Sequence, residues 1–358
     1  MRQYNKGEWG ELYTAVKILN DKKIAVADNN LESRNECVNV LRLFLKSTYS
    51  DNSIYDITTP KILLLVDGIL KKTLTLDEDD VSELLQSIQN GAGRSFSVPI
   101  AEKIIQDLKL DAVKANSTVK ADIVMEADIP YINEKSEIYR VGAKKEGFTI
   151  KSMIGAKPTL LNTSQSTNFI FNVSGFTGNL NHINSMTGAA KIMKRVDSIK
   201  KHGGTITFLD TASEIFKKNL RLIDYNLPEI LSCLLIVYFT TSGKSNLPSL
   251  VKQIIPLLSF STSIEEVEHK IKAFIYAIAL GMHPAKLWDG RSINGGCIIA
   301  KNSGDLVCFT LFDQDAFKEY LYNNIKFDSP SSTRHHYGML YMKNNRLFIN
   351  LNIQLRFL

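Results

Sequence analysis

Apolar positions recur along the chain with two periods, and the switches between them set the expected elements. From Gly7 to Lys22 the residues Trp9, Leu12, Tyr13, Val16 and Leu19 fall at helical spacing, and Asn20-Asp21 ends the run. Val38 to Leu45 reads as a second helix, and Ile62 to Val66 as a short strand that stops at the turn Asp67-Gly68. Asp77 to Ile88 reads as a helix with acids in its first turn; another follows Ser97-Val98-Pro99, with Ile104, Ile105 and Leu108 on one face. Between Ala121 and Ile129 the period becomes two: Ile123, Met125, Ala127 and Ile129 alternate with Asp122, Val124, Glu126 and Asp128. Gly147 to Ser152 alternates likewise, Phe148 and Ile150 against Thr149 and Lys151, so both segments read as half-buried strands. Phe169 to Val173 is a third strand, Thr187 to His202 a basic helix closed by Gly203-Gly204, and Thr205 to Leu209 a further strand. Ala212 to Leu280 is helical in pattern, with breaks at Asn226-Leu227-Pro228, at Thr241-Ser242-Gly243 and from Ser259 to Ser263. Strands return at Gly295 to Asp305, Leu306 to Phe312, Gly338 to Lys343 and Arg346 to Phe357.

This pattern predicts an α/β protein: a mixed sheet flanked by helices, with a helical subdomain and a β-rich C-terminal part. The expected division is a core with N-terminal helices over 1–210, a helical subdomain over 211–285, and a β-rich segment over 286–358 that packs on the core and contacts the partner molecule. The chain of 358 residues, 44% hydrophobic, is long enough for two compact units or one elaborated unit. Its net charge of +6 suits a polyanionic partner. The four cysteines form no CxxC pair, which argues against a zinc site and for reduced thiols. The opening residues carry no apolar secretory core, and the apolar run Leu227 to Thr240 is too short for a span and holds Glu229. A cytoplasmic location without membrane association is expected.

The chemistry that fits this layout is phosphodiester hydrolysis, which needs carboxylates for a divalent cation, a positive charge at the phosphate and an activated water. Asp122 and Lys151 lie on the polar faces of two neighbouring strands. Any half-exposed hairpin collects such groups, as Glu126 and Asp128 illustrate. Glu8 and Glu11 share one helix face just after Gly7 and beside Gly10; taken alone they serve the helix dipole sooner than a metal. The stretch from Ser152 to Phe169 holds no acid and is rich in Ser, Thr, Asn and Gln; Ser152, Thr159, Asn162, Ser164, Gln165, Thr167 and Asn168 are candidate DNA contacts. Lys191, Lys194 and Arg195 make a basic helical face suited to phosphates, and Arg334 with His335 sits in a turn-rich loop where arginine can pair with guanine.

These residues resemble the HpaII-type restriction endonucleases. The likeness lies in Lys6-Gly7-Glu8-Trp9-Gly10-Glu11-Leu12-Tyr13 and in Gly147-Phe148-Thr149-Ile150-Lys151-Ser152, followed by Pro158-Thr159-Leu160-Leu161-Asn162 and Thr167-Asn168-Phe169. It continues through Gly281-Met282, Trp288-Asp289-Gly290, Lys326-Phe327-Asp328, Pro330-Ser331-Ser332-Thr333-Arg334 and Leu351-Asn352-Ile353-Gln354-Leu355-Arg356-Phe357. The resemblance implies a Type II enzyme of the PD-(D/E)XK nuclease class, a CCGG target in double-stranded DNA and a cytosine methyltransferase as genetic partner. A palindromic target implies a homodimer. Two positions depart from the class pattern: Thr149 replaces the acid two places before Lys151, and Ala121 replaces the proline. Glu146 points to the opposite strand face from Lys151. The expected site is therefore Asp122, Thr149 and Lys151 with Mg²⁺ held by Asp122, the backbone at Ile150, and Glu11 or Glu8. Two other readings stay open: a DNA-binding regulator that does not cut, and a junction-type nuclease, which shares the Gly-to-Glu start of the first helix.

Overall fold

The computed structural model describes residues 1–111, 121–132, 137–241 and 246–358, without the side chains of Ile132 and Val141. Its contacts divide the chain into two units that interleave in sequence. The first comprises Met1–Pro158, Ala279–Gly281 and Ser292–Tyr320; the second comprises Thr159–Ile278, Met282–Arg291 and Leu321–Leu358. This division cuts across the consecutive segments 1–210, 211–285 and 286–358, because a late hairpin returns to the first sheet and the last strands pair with residues 159–174.

The first unit opens with α1 (Lys6–Asp21), β1 (Lys23–Ala27), β2 (Ser33–Leu45), β3 (Ser53–Asp56), β4 (Ile62–Val66) and β5 (Ile69–Leu74). It continues with α2 (Glu78–Asn90), α3 (Pro99–Asp107), β6 (Ile123–Ile132) and β7 (Ile138–Ser152). The chain then builds most of the second unit: β8 (Thr159–Leu161), β9 (Asn168–Ser174), α4 (Leu180–Ser185), α5 (Lys191–Lys201), β10 (Thr205–Thr211), α6 (Glu214–Ile223), α7 (Leu227–Thr240), α8 (Leu247–Ile254) and α9 (Ile264–Ala279). It returns for β11 (Gly296–Ala300), β12 (Leu306–Thr310) and most of α10 (Gln314–Asn324), and ends in the second unit with β13 (Ile325–Phe327), α11 (Ser332–His335), β14 (Leu340–Lys343), β15 (Arg346–Asn352) and β16 (Leu355–Phe357).

The first unit is a mixed nine-stranded sheet in the order β1-β12-β11-β7-β6-β2-β3-β4-β5. The β11–β7 and β1–β12 pairs are parallel, and the others antiparallel. Its main core packs α1, α2 and α3 on the face that carries Ile123, Met125, Phe148, Ile150 and Ile298. Asn5 starts α1 with a capping box: its side chain accepts the Glu8 N–H while the Glu8 carboxylate accepts the Asn5 N–H. Lys22, at φ 60°, ends the helix in the left-handed region. The helix meets β7 at closest range at Gly10, where a Cβ would lie 2.1 Å from Ser152 Oγ and 2.3 Å from its Cβ. Only a residue without a side chain permits that approach.

One expected helix is a strand. Val38 to Leu45 is the second half of β2, whose pairing with β6 shifts register between Val40 and Arg42. The bulge moves the buried positions from Val38 and Val40 to Leu43, and that offset imitates a helical period. The second unit joins a four-stranded antiparallel sheet, β10-β9-β15-β14, to a three-stranded one, β13-β16-β8. The expected helical stretch is α6 to α9; Ser242 and Gly243, in one of its expected breaks, lie outside the described residues. Among the described residues no single helix is long and apolar enough to cross a membrane.

The contact at Gly10 gives a direct test. Helix propensity favours Ala over Gly by about 1 kcal/mol, yet Gly10→Ala is expected to lower unfolding free energy by about 1–3 kcal/mol through overpacking. Urea denaturation measures this, and a Ser152→Gly background should recover most of the loss.

Candidate active site

Asp122 sits one residue before β6, at the end of the hairpin where β7 runs on toward Ser152. Its N–H donates to the Phe148 carbonyl at 2.9 Å. Its carboxylate Oδ2 accepts the Ile150 N–H at 2.7 Å, so the side chain continues the ladder where the strand has stopped. No described residue donates to Oδ1. Because the N–H and C=O of one strand residue lie along the same edge, the Ile150 carbonyl is also turned to the Asp122 side. Lys151 follows on the sheet face that Thr149 shares, half-buried and without a partner among the described residues. Gly147 stays open for this crossing: a Cβ there would lie 2.7 Å from that of Ala121.

The far side of β7 is closed by β11, which pairs Cys297 with Thr149 and Ile299 with Lys151. Thr149 was expected on a half-exposed face, but it is 5% exposed: β11 flanks it in the sheet, and aromatic side chains of α10 pack on the same face. Phe309 on β12 stacks there on Phe317 and Tyr320 at 4.7 and 5.1 Å between ring centres. The Thr149 Oγ1 is buried with no hydrogen-bond partner, and Cys297 is its register partner on β11. Burial pushes the Cys297 thiol up to about 11, with the Lys151 charge and the Thr149 hydroxyl pulling down and Asp122 pushing up. Register sets Cys297 beside Thr149 on one sheet face, and the Asp122 carboxylate is held at Ile150 between Thr149 and Lys151 in sequence.

The two glutamates of α1 differ in what they do locally. Glu8 uses its carboxylate in the capping box at 3.0 Å from the Asn5 N–H. Glu11 is half-buried, one residue after the Gly10–Ser152 contact. Among the described residues no three His, Cys, Asp or Glu side chains gather as a metal-holding group. The donors at the Asp122 point are instead oxygens of mixed kind: one carboxylate, the Ile150 carbonyl edge and the orphaned Thr149 hydroxyl. Such a set fits Mg²⁺, which takes one or two carboxylates and completes its shell with water and phosphate. A neutral thiol at Cys297 offers nothing to a softer ion.

The other candidates divide into employed and presented groups. Ser152 Oγ accepts the Ile154 N–H at 3.3 Å against Gly10. Thr167 and Asn168 are buried, at 0% and 3% exposure, within side-chain hydrogen bonds. Arg195, expected on the phosphate-facing side of α5, is 4% exposed and donates to the carbonyls of Gly338, Asn184 and Met186 at 2.6–2.8 Å. It is a structural clamp, because helical spacing placed it with Lys191 and Lys194 but its apolar neighbours Ile192, Val196 and Ile199 carry that side inward. Lys194, Asn162, Gln165 and Arg334 are exposed; Lys191, Thr159, Ser164 and His335 are half-buried. Cys297 was missed by the sequence reading. Its only signal is the wholly apolar run of β11, which marks a strand buried on both faces.

Alkylation of the native protein at pH 8 checks the closed face. Cys297 and Cys308 are 0% exposed, and burial raises both thiols. Mass spectrometry should find both unmodified until the protein is unfolded; rapid native labelling of Cys297 contradicts the packing of β11 on β7.

Comparison with known proteins shows the family of the chain. The model of the HpaII restriction endonuclease family matches residues 5–357. The chain is 32% identical to the Type II restriction enzyme HpaII of Haemophilus parainfluenzae over 372 aligned positions, covering 99% of this chain and 98% of that protein. No solved structure matches it.

Proposed function

The chain belongs to the HpaII restriction endonuclease family, a family of Type II enzymes that hydrolyse double-stranded DNA, and from that premise we propose that Asp122 and Lys151 are its catalytic centre. The reading rests on one observation: the Asp122 carboxylate is fixed by the Ile150 N–H immediately beside Lys151. Asp122 and the Ile150 carbonyl would hold Mg²⁺, and Thr149 stands where the PD-(D/E)XK class has its second acid. Glu11, on the helix that touches Ser152, is taken as the candidate for a further carboxylate, ahead of Glu8, which its helix cap engages. Lys151 neutralises phosphate charge and orients the attacking water. The bound cation would supply stabilisation of the charge that develops on the leaving oxygen.

The target is proposed as CCGG, since the HpaII-type likeness extends through the segments that carry the candidate base readers Asn162, Gln165 and Arg334. A palindrome of that kind is met by a homodimer in the cytoplasm, with host DNA protected by a cytosine methyltransferase. Lys194 and Lys191 supply phosphate contacts, which carry no sequence information.

Plasmid digestion tests the assignment. Wild type with Mg²⁺ is expected to yield discrete fragments from unmethylated DNA and none from DNA methylated at CCGG. Lys151→Ala should lose at least about a thousandfold in cleavage rate, the scale of removing one preorganised charge-stabilising group, while its affinity for DNA stays within a few-fold. Appreciable cutting by Lys151→Ala removes Lys151 from the mechanism. An intact plasmid with wild type, together with tight DNA binding, favours a regulator that does not cut.

A further inference from the structure

The 37 acidic residues are unevenly spread: none falls within residues 147–196 or 329–358. The fold zips these two stretches together. Within the second unit β9 pairs with β15 and β8 with β16, every strand of both pairs drawn from acid-free sequence. Two short surface segments emerge beside these pairs, the loop over 162–166 and the turn over 331–336. The first presents Asn162 and Gln165, and the second presents Thr333, Arg334 and His336. The guanidinium of Arg334 has no partner among the described residues. Asp328, beside the turn, pairs with Arg356 on β16, and the two segments themselves bring no carboxylate to repel a phosphate.

What joins the two segments is buried. Asn352, at the end of β15, is 1% exposed. Its Nδ2 donates to the Ser164 carbonyl at 2.8 Å and to Asn168 Oδ1. Its Oδ1 lies 3.1 Å from the Thr167 hydroxyl, whose single proton it shares with the Ser164 carbonyl at 3.0 Å. Thr167 Oγ1 in turn accepts the Ser164 N–H at 3.0 Å, closing the loop on itself. Asn168 Nδ2 carries the chain of bonds to the His335 carbonyl at 3.1 Å, the residue after Arg334. From the other end Tyr337, 2% exposed, donates its hydroxyl to the Pro330 carbonyl at 2.7 Å and fixes the turn. These side chains are buried, and their bonds link the backbone beside Gln165 to the backbone beside Arg334.

We infer that Asn352 is a positioning residue for base recognition, holding the loop over 162–166 and the turn over 331–336 as one rigid reading surface through Thr167 and Asn168. This rests on the reading of the protein as a site-specific nuclease and names the element that sets its selectivity. Discrimination between bases needs its donors and acceptors held to about 0.5 Å. A buried, fully bonded amide network supplies that rigidity, and its loss relaxes it.

The test measures kcat/KM of the full chain on duplexes that carry the wild type's own preferred site and each single-base-pair variant of that site. The variants are Asn352→Ala, Thr167→Val and the conservative Thr167→Ser. A residue that only supports folding scales every kcat/KM by one folded fraction and leaves the ratio of preferred to altered site unchanged. Positioning predicts that Asn352→Ala and Thr167→Val lower this ratio about tenfold or more, the discrimination carried by one good base contact, with affinity for unrelated duplex unchanged. Thr167→Ser keeps the hydroxyl and should return the ratio to near wild type. An unchanged ratio in Asn352→Ala or Thr167→Val overturns the proposal. If Asn352→Ala does not fold, Thr167→Val, which keeps the side-chain shape, decides alone. A wild type that cuts DNA at no discrete site overturns the functional reading instead.

Discussion

The site depends on one hydrogen bond, from the Ile150 N–H to the Asp122 carboxylate at 2.7 Å. A strand that outruns its neighbour leaves an unpaired N–H at its edge, and a buried unpaired N–H is costly. Here a side chain answers it. The same bond holds one carboxylate oxygen in place and leaves the other directed away from the ladder. Because the acceptor is charged, the bond is stronger than an ordinary backbone pair. The position of Asp122 is therefore set by the sheet itself and not by a mobile loop.

Everything else in the first unit supports that edge. The β11 strand flanks Thr149 and presents a neutral thiol beside it. On the opposite face α1 presses Gly10 against Ser152, one residue past Lys151. The lysine is thus flanked by packed residues on both sides of the sheet while its own ammonium keeps no protein partner among the described residues. An ion pair between a phosphate and a group in that setting would break no internal one. The orphaned Thr149 hydroxyl has the same character: it is a buried polar atom without a protein answer.

Much of this was legible in the sequence, for reasons that individual elements make plain. The alternation in Ala121 to Ile129 and in Gly147 to Ser152 survives as β6 and β7, because a hairpin between a core and a covered face enforces period two. That Asp122 and Lys151 lie on the polar faces of their strands followed from parity alone. Register across strands distant in sequence did not: nothing local says that Cys297 lies opposite Thr149, or that Asn352 lies opposite Asn168. Val38 to Leu45 misled because a bulge shifts its buried positions, and a one-residue slip is invisible without the partner strand. Arg195 misled because a charged residue at helical spacing from Lys191 and Lys194 reads as solvated until three backbone carbonyls are seen around it.

The central claim is that Asp122, fixed by Ile150, is the cation-binding carboxylate of this enzyme. The most direct measurement is calorimetric titration of Ca²⁺, which binds such oxygen sites without supporting cleavage in the Mg²⁺ role, into the protein bound to its own DNA site, for wild type and for Asp122→Asn. The amide keeps an oxygen for the Ile150 N–H and removes the charge. Affinity for the ion should fall at least about tenfold in the variant, the 1.4 kcal/mol scale of one lost charge contact, while DNA affinity without metal stays unchanged. Equal ion affinity in the two proteins contradicts the account.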